Sequence, residues 1–199
     1  MVQPKPPANP GRRKFLINAT SVVGAGAIAG AAVPFLASWQ PSAKAEAAGA
    51  PAIADISKLK PGEMMIVEWR GAPIYVVKHS KESLNQINKN LSRLSDPNSL
   101  KDMQPDYARN ELRSRRPGIS VLSAVCTHLG CAPKFYPELG TTEFDNDWQG
   151  GFFCPCHGSK FDLAGRVYSG VPAPDNLAIP PHYFKDEKIL VIGEDGDKV

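Results

Sequence analysis

Hydrophobic positions along the chain fall into three regimes. Residues 15–37 form one uncharged apolar run. As a helix this run spans about 34 Å at ~1.5 Å per residue, enough to cross a hydrocarbon core of about 30 Å. Trp39, just beyond it, suits a membrane interface. The run is dense in Gly24, Ala25, Gly26, Ala27, Ala29, Gly30, Ala31 and Ala32, and such small residues let a second helix approach closely. Residues 41–51 then read Pro-Ser-Ala-Lys-Ala-Glu-Ala-Ala-Gly-Ala-Pro, with no core-forming side chain. Alanine favours helix and glycine opposes it, so this stretch is expected to act as a flexible hinge.

From Ile53 the pattern turns to short β-type runs. Residues 63–69 and 73–79 flank Arg70-Gly71-Ala72, which predicts a hairpin, and Tyr75, Val76 and Val77 are good strand formers. Over residues 83–95 the period changes. Leu84, Ile87, Leu91 and Leu94 recur at helical spacing behind a Ser83/Gln86 capping box, and Asp96-Pro97 stops the predicted helix. Residues 96–118 are polar, carry Arg109, Arg113, Arg115 and Arg116, and read as a solvated surface insertion. Further strands are expected over 119–125, 150–153, 177–179 and 188–192. The prediction is a mainly β chain with an N-terminal tail over 1–14, an anchor over 15–40, a hinge over 41–51 and a head over 52–199.

Composition adds compartment and topology. The chain has 199 residues and is 42% hydrophobic, enough for one ordinary domain and an appendage. Lys5, Arg12, Arg13 and Lys14 supply more than the whole net charge of +3 and leave the remainder at −1. No basic face is left for nucleic acid. Arg12-Arg13 ahead of the apolar run fits a twin-arginine export signal or ordinary positive-inside charge, and either puts the N-terminus in the cytoplasm. Ala43-Lys44-Ala45 and Ala45-Glu46-Ala47 resemble cleavage sites, but the run is longer than a signal-peptide apolar region, which favours retention as an anchor.

The candidate chemistry sits in two boxes, Cys126-Thr127-His128-Leu129-Gly130-Cys131 and Cys154-Pro155-Cys156-His157-Gly158-Ser159. They hold all four cysteines and two of the four histidines. Two thiolates and two imidazoles can bind a tetrahedral zinc or a [2Fe–2S] cluster with both histidines on one iron. Cys131 and Cys156, one in each box, are surplus to such a site. If bonded to each other they would pin the two loops together, a local role in an oxidising compartment. His79 and His182 lie far from any cysteine and are expected to be strand or surface residues.

Together the boxes resemble those of the Rieske iron–sulfur protein family. Trp69-Arg70-Gly71-Ala72-Pro73 is also similar to the Trp-Arg-Gly-x-Pro of Rieske subunits from quinol-oxidising bc₁-type complexes. This resemblance implies a β-sandwich head with a small cluster-binding β subdomain at about 122–178, and one [2Fe–2S] cluster. Cys126 and Cys154 would ligate one iron, His128 and His157 the other, and Cys131–Cys156 would be a disulfide. Ser159 would bond a bridging sulfide, and Leu129 and Gly130 would form an apolar rim docking on cytochrome b. His157 would accept a hydrogen bond from ubiquinol, and the hinge would let the head swing to cytochrome c₁. The resemblance further implies a dimeric complex in the bacterial inner membrane with the head in the periplasm.

Two departures stand out. Val171 interrupts the family's Gly-Pro-x-Pro lid in Gly170-Val171-Pro172-Ala173-Pro174, which leaves the lid's contacts open. Phe161 stands where many high-potential relatives have Tyr. A soluble-type Rieske ferredoxin, a plastoquinol-oxidising b₆f subunit and a zinc-stabilised structural domain are the competing readings. The anchor, the 83–118 insertion and the Trp-Arg-Gly-Ala-Pro run favour the bc₁ type.

Overall fold

The computed structural model describes residues 9–42, 45 and 49–196. It divides into two units, Met1–Ala47 and Ala48–Val199. In the first, α1 spans Pro10–Ser38, and among the described residues it is the one helix long and apolar enough to cross a membrane. It starts before the apolar run because Asn9 caps it: its side-chain oxygen accepts from the Arg12 amide at 3.1 Å. Pro10, at the first helical position, has no N–H to leave unpaired. Arg12, Arg13 and Lys14, expected in the tail, are therefore helical. Most of the tail (1–8) and part of the expected hinge (43, 44 and 46–48) lie outside the described residues.

The second unit holds three antiparallel three-stranded sheets. One contains β2 (Met64–Trp69), β3 (Ala72–Lys78) and β4 (Ile119–Ser123) in that order. Its hairpin turn is one residue tighter than expected. Trp69 pairs with Ala72, and Arg70 and Gly71 alone make the turn with φ 52° and 72°, both left-handed as the strand twist prefers. Strand alternation sends the β3 side chains to two cores. Ile74 and Val76 join Val121, Leu190 and Ile192, while Tyr75 and Val77 join Leu122, Phe152, Cys126 and Cys154. The first core is completed by β1 (Ala52–Asp55), β9 (Ile189–Ile192) and β8 (His182–Phe184), whose sheet order is β1-β9-β8. The second belongs to the sheet of β5 (Lys134–Gly140), β6 (Trp148–Cys154) and β7 (Ser159–Asp162). The mainly β architecture expected from the sequence is thus observed.

Three local expectations are corrected. The helix predicted over 83–95 is short: α2 spans Lys81–Gln86, and Ser80 rather than Ser83 caps it, accepting from the Ser83 amide at 3.1 Å. Tertiary partners end it. The Arg166 guanidinium takes the Ile87 carbonyl, and the Asn88 amide donates to Glu111 at 3.0 Å. The apolar stripe then divides, Ile87 packing with Leu163 and Ala164 and Leu94 with Trp148 and Tyr168. The 96–118 insertion is not simply solvated, because Asp96, Ser99, Gln104, Arg113 and Ser114 are buried. Residues 177–179 form no strand. Ala178 accepts from the Ser123 amide at 2.7 Å and Ile179 donates to Met103 at 2.8 Å. His182 opens β8 and His79 directly follows β3, in keeping with the strand positions expected, and both are buried.

Candidate metal centre

Both boxes fold into the same turn. In box 1 the Gly130 amide donates to the Cys126 carbonyl at 3.0 Å; in box 2 the Gly158 amide donates to the Cys154 carbonyl at 2.9 Å. The glycines have φ of 83° and 77°, a left-handed conformation that a side chain would disfavour. Box 2 is the connection between β6 and β7, with Cys154 paired to Ser159. Box 1 follows β4 and is closed by the Cys126 amide bonding the Cys131 carbonyl at 2.8 Å.

The turns bring the cysteines and histidines of the two boxes together. Cys126 and Cys154 are free thiols, each 2% exposed. The rings of His128 and His157 meet edge to face with centroids 4.8 Å apart. His128 is half-buried, His157 is exposed, and Leu129, next to His128 in sequence, is 72% exposed. Cys131 and Cys156 form a disulfide joining the boxes. The sulfurs of Cys131, Cys154 and Cys156 lie within 4.8 Å of one another. A disulfide offers no thiolate, so Cys131 and Cys156 brace the loops while Cys126, Cys154 and the two imidazoles remain as donors. Gly130 supplies the turn of box 1.

Burial pushes the Cys126 thiol up; the His128 amide and Ser159 hydroxyl pull the other way, and the Cys154 side chain adds to the rise. Two dry thiolates side by side need a cation, and the donors present fit an iron–sulfur group of mixed Cys/His ligation. Ser159 is 1% exposed, and its oxygen accepts from the Ala173 amide at 3.0 Å, which leaves its own proton for an acceptor in the site. Phe161, fully buried, packs in the same core as Cys126 and Cys154.

The 170–174 loop has definite contacts despite its departure from the family pattern. Val171 packs against both the Cys126/Cys154 core and the Trp148/Tyr168 core. Thr127 donates its hydroxyl to the Asp175 carbonyl at 2.7 Å. Lys101 reaches the Pro174 carbonyl at 3.0 Å and pairs with Asp175. Asn176 donates to the Asp96 carbonyl at 3.1 Å and accepts from the Val167 amide at 2.8 Å. Tyr75 stacks on Phe152 and donates to the Pro133 carbonyl at 2.5 Å. None of these supports was anticipated. Thr127 stood inside a box; the bonds of Tyr75 to Pro133, Lys101 to Pro174 and Asn176 to Asp96 act across 58 to 80 residues of sequence, where no local pattern marks them.

Residues 50–181 match a family model described as "Rieske [2Fe-2S] domain", and residues 3–42 match one described as "Ubiquitinol-cytochrome C reductase Fe-S subunit TAT signal". The ubiquinol-cytochrome c reductase iron-sulfur subunit of Allochromatium vinosum is 53% identical over 184 residues, covering 92% of this chain and 89% of the relative. Its counterpart from Blastochloris viridis is 42% identical over 182 residues, covering 92% of each. A solved chain titled "Hyperthermophilic respiratory Complex III" is 25% identical with a TM-score of 0.49, covering 86% of this chain and 98% of that one.

Proposed function

The chain belongs to the Rieske [2Fe–2S] family, among its ubiquinol–cytochrome c reductase iron–sulfur subunits, and from that membership we propose that it carries electrons singly from ubiquinol to cytochrome c₁. The electron, coupled to a proton, is taken at the quinol-oxidation site of cytochrome b, and the turnover contributes to proton translocation. Cys126 and Cys154 would hold one iron of the cluster, and His128 and His157 the other. When bound, the cluster supplies a one-electron couple, at higher potential than an all-cysteine centre because neutral imidazole replaces thiolate.

The observation that carries this reading is that His157 is exposed while its ring meets that of His128, whose neighbour in sequence, Leu129, is exposed as well. A histidine with one nitrogen committed to a metal keeps the other for a substrate hydroxyl. His157 accepts that hydrogen bond and takes the proton. Leu129 and Gly130 exclude water where the head meets cytochrome b. Cys131–Cys156 holds the loops in register, Ser159 donates a hydrogen bond into the site, and residues 122–178 act as the cluster-binding subdomain. α1 anchors the chain in a bacterial inner membrane, N-terminus in the cytoplasm and head in the periplasm. Residues 41–51 let the head move between partners in a dimeric complex.

Mild detergent extraction tests this. Cytochromes b and c₁ are expected to co-purify with the chain, shown by their haem spectra, and the preparation should reduce cytochrome c with ubiquinol. A chain that purifies free of haem and turns over no quinol would instead be a plain electron carrier.

A further inference from the structure

The head buries two arginines, Arg113 and Arg166, each 1% exposed. Arg166 is neutralised by Asp162, with Nε–Oδ2 at 2.8 Å and Nη2–Oδ2 at 2.7 Å. Arg113 is not: among the described residues no carboxylate lies within salt-bridge distance of it. Its guanidinium donates to the carbonyls of Ala164 and Leu177, both at 2.9 Å, and to Gln104 Oε1 at 3.0 Å, while its Nε has no partner. Arg113 also sits at φ 47°, a region that residues bearing a Cβ seldom occupy. Gly165 makes room for it; a Cβ there would stand 3.2 Å from Nη1. The chain therefore accepts backbone strain and a buried charge without a salt bridge at one residue, with Asp162 and Asp96 favouring that charge only through space and Arg166 opposing it, and both are costly. Burial lowers the Arg113 pKa to about 10, so the side chain is still a cation at neutral pH.

The surroundings of that charge are dry. Leu177, whose carbonyl Arg113 holds, is fully buried in the core that contains Cys126, Cys154, Phe161 and Ala173. Through such a core a charge is screened far less than through water. A fixed cation there favours whichever redox state is more negative, and that is the reduced one. We propose that Arg113 is a buried positioning residue that raises the electron affinity of the cluster through its charge, while its hydrogen bonds fix the chain on either side of the 170–174 loop.

The inference rests on the cluster being held by Cys126, His128, Cys154 and His157, and iron and labile sulfide content report on that separately. The test is the midpoint potential of the purified full chain in detergent, followed by the EPR signal of the reduced cluster, for Arg113→Lys, Arg113→Met and Gln104→Glu. Gln104→Glu keeps the arginine and sets a carboxylate against it. With iron and sulfide at wild-type levels, Arg113→Met and Gln104→Glu should lower the potential, and Arg113→Lys should keep it near wild type. An unchanged potential in a loaded Arg113→Met, or a fall in Arg113→Lys as large as in Arg113→Met, overturns the proposal. Should Arg113→Met fail to load, Gln104→Glu decides: a lower potential supports the proposal and an unchanged one refutes it.

Discussion

The two buried histidines set the acid limit of the head's stability. His79 Nε2 lies 2.7 Å from Ser120 Oγ, and its Nδ1 is buried without a partner. His182 Nδ1 lies 2.8 Å from the Pro180 carbonyl, and its Nε2 is likewise unpartnered. Burial lowers each pKa from 6.5 to about 4. The folded head thus rejects a proton that the unfolded chain accepts. Each histidine's contribution is intact above pH 6.5 and is lost as pH falls from 6.5 toward 4. A gap of that size is worth roughly 3 kcal/mol per histidine at full development, since one pKa unit corresponds to about 1.4 kcal/mol. That is a large share of a typical stability of about 5–15 kcal/mol. Between pH 7.5 and 5 a single histidine should cost about 2 kcal/mol. His79→Gln keeps an amide able to bond Ser120 but cannot titrate. Urea unfolding of the detergent-solubilised chain, followed by tryptophan fluorescence at both pH values, should show the variant losing about 2 kcal/mol less than wild type. All other groups are common to the two proteins and cancel in the comparison. An equal loss in the two would refute the reasoning.

Phe161→Tyr adds a hydroxyl to a ring already packed with Cys126 and Cys154. A hydrogen bond to a ligand sulfur, at about 0.5–1.5 kcal/mol, should raise the midpoint potential by roughly 20–60 mV for a one-electron couple; redox titration would count against it if a stably folded variant showed no shift or a fall. Removing the disulfide with Cys131→Ser and Cys156→Ser frees a loop of separation 25, which should destabilise the head by about 2–4 kcal/mol, read as a lower urea midpoint and faster loss of the visible spectrum. An unchanged midpoint would mean the brace is redundant. Two prolines within residues 42–50 remove helix-forming freedom and should slow quinol–cytochrome c turnover while sparing the cluster spectrum. Unchanged turnover would make the segment a tether.

What the sequence disclosed follows from how local each determinant is. The two boxes, the β2–β3 hairpin and the apolar run of α1 are encoded within a few residues of themselves: a glycine four places after a cysteine closes each turn, and Arg70-Gly71 closes the hairpin. Helical spacing over 83–95 misled because Leu94 answers to Tyr168 through an antiparallel bridge rather than to Ile87 on the same face. The arginines of 96–118 look solvated by composition, yet Arg113 is enclosed by carbonyls 51 and 64 residues away. Val171 shows the same limit, since its seat between two cores is set by strands that the local sequence does not mention.

Metal content and ligand identity test the central claim most directly. The purified chain should carry two irons and two acid-labile sulfides, and after growth on ¹⁵N-labelled histidine the reduced cluster should show two histidine nitrogens coupled to one iron. Replacement of either His128 or His157 should abolish that signal. One zinc per chain with no labile sulfide, or a cluster with no nitrogen coupling, would contradict the account.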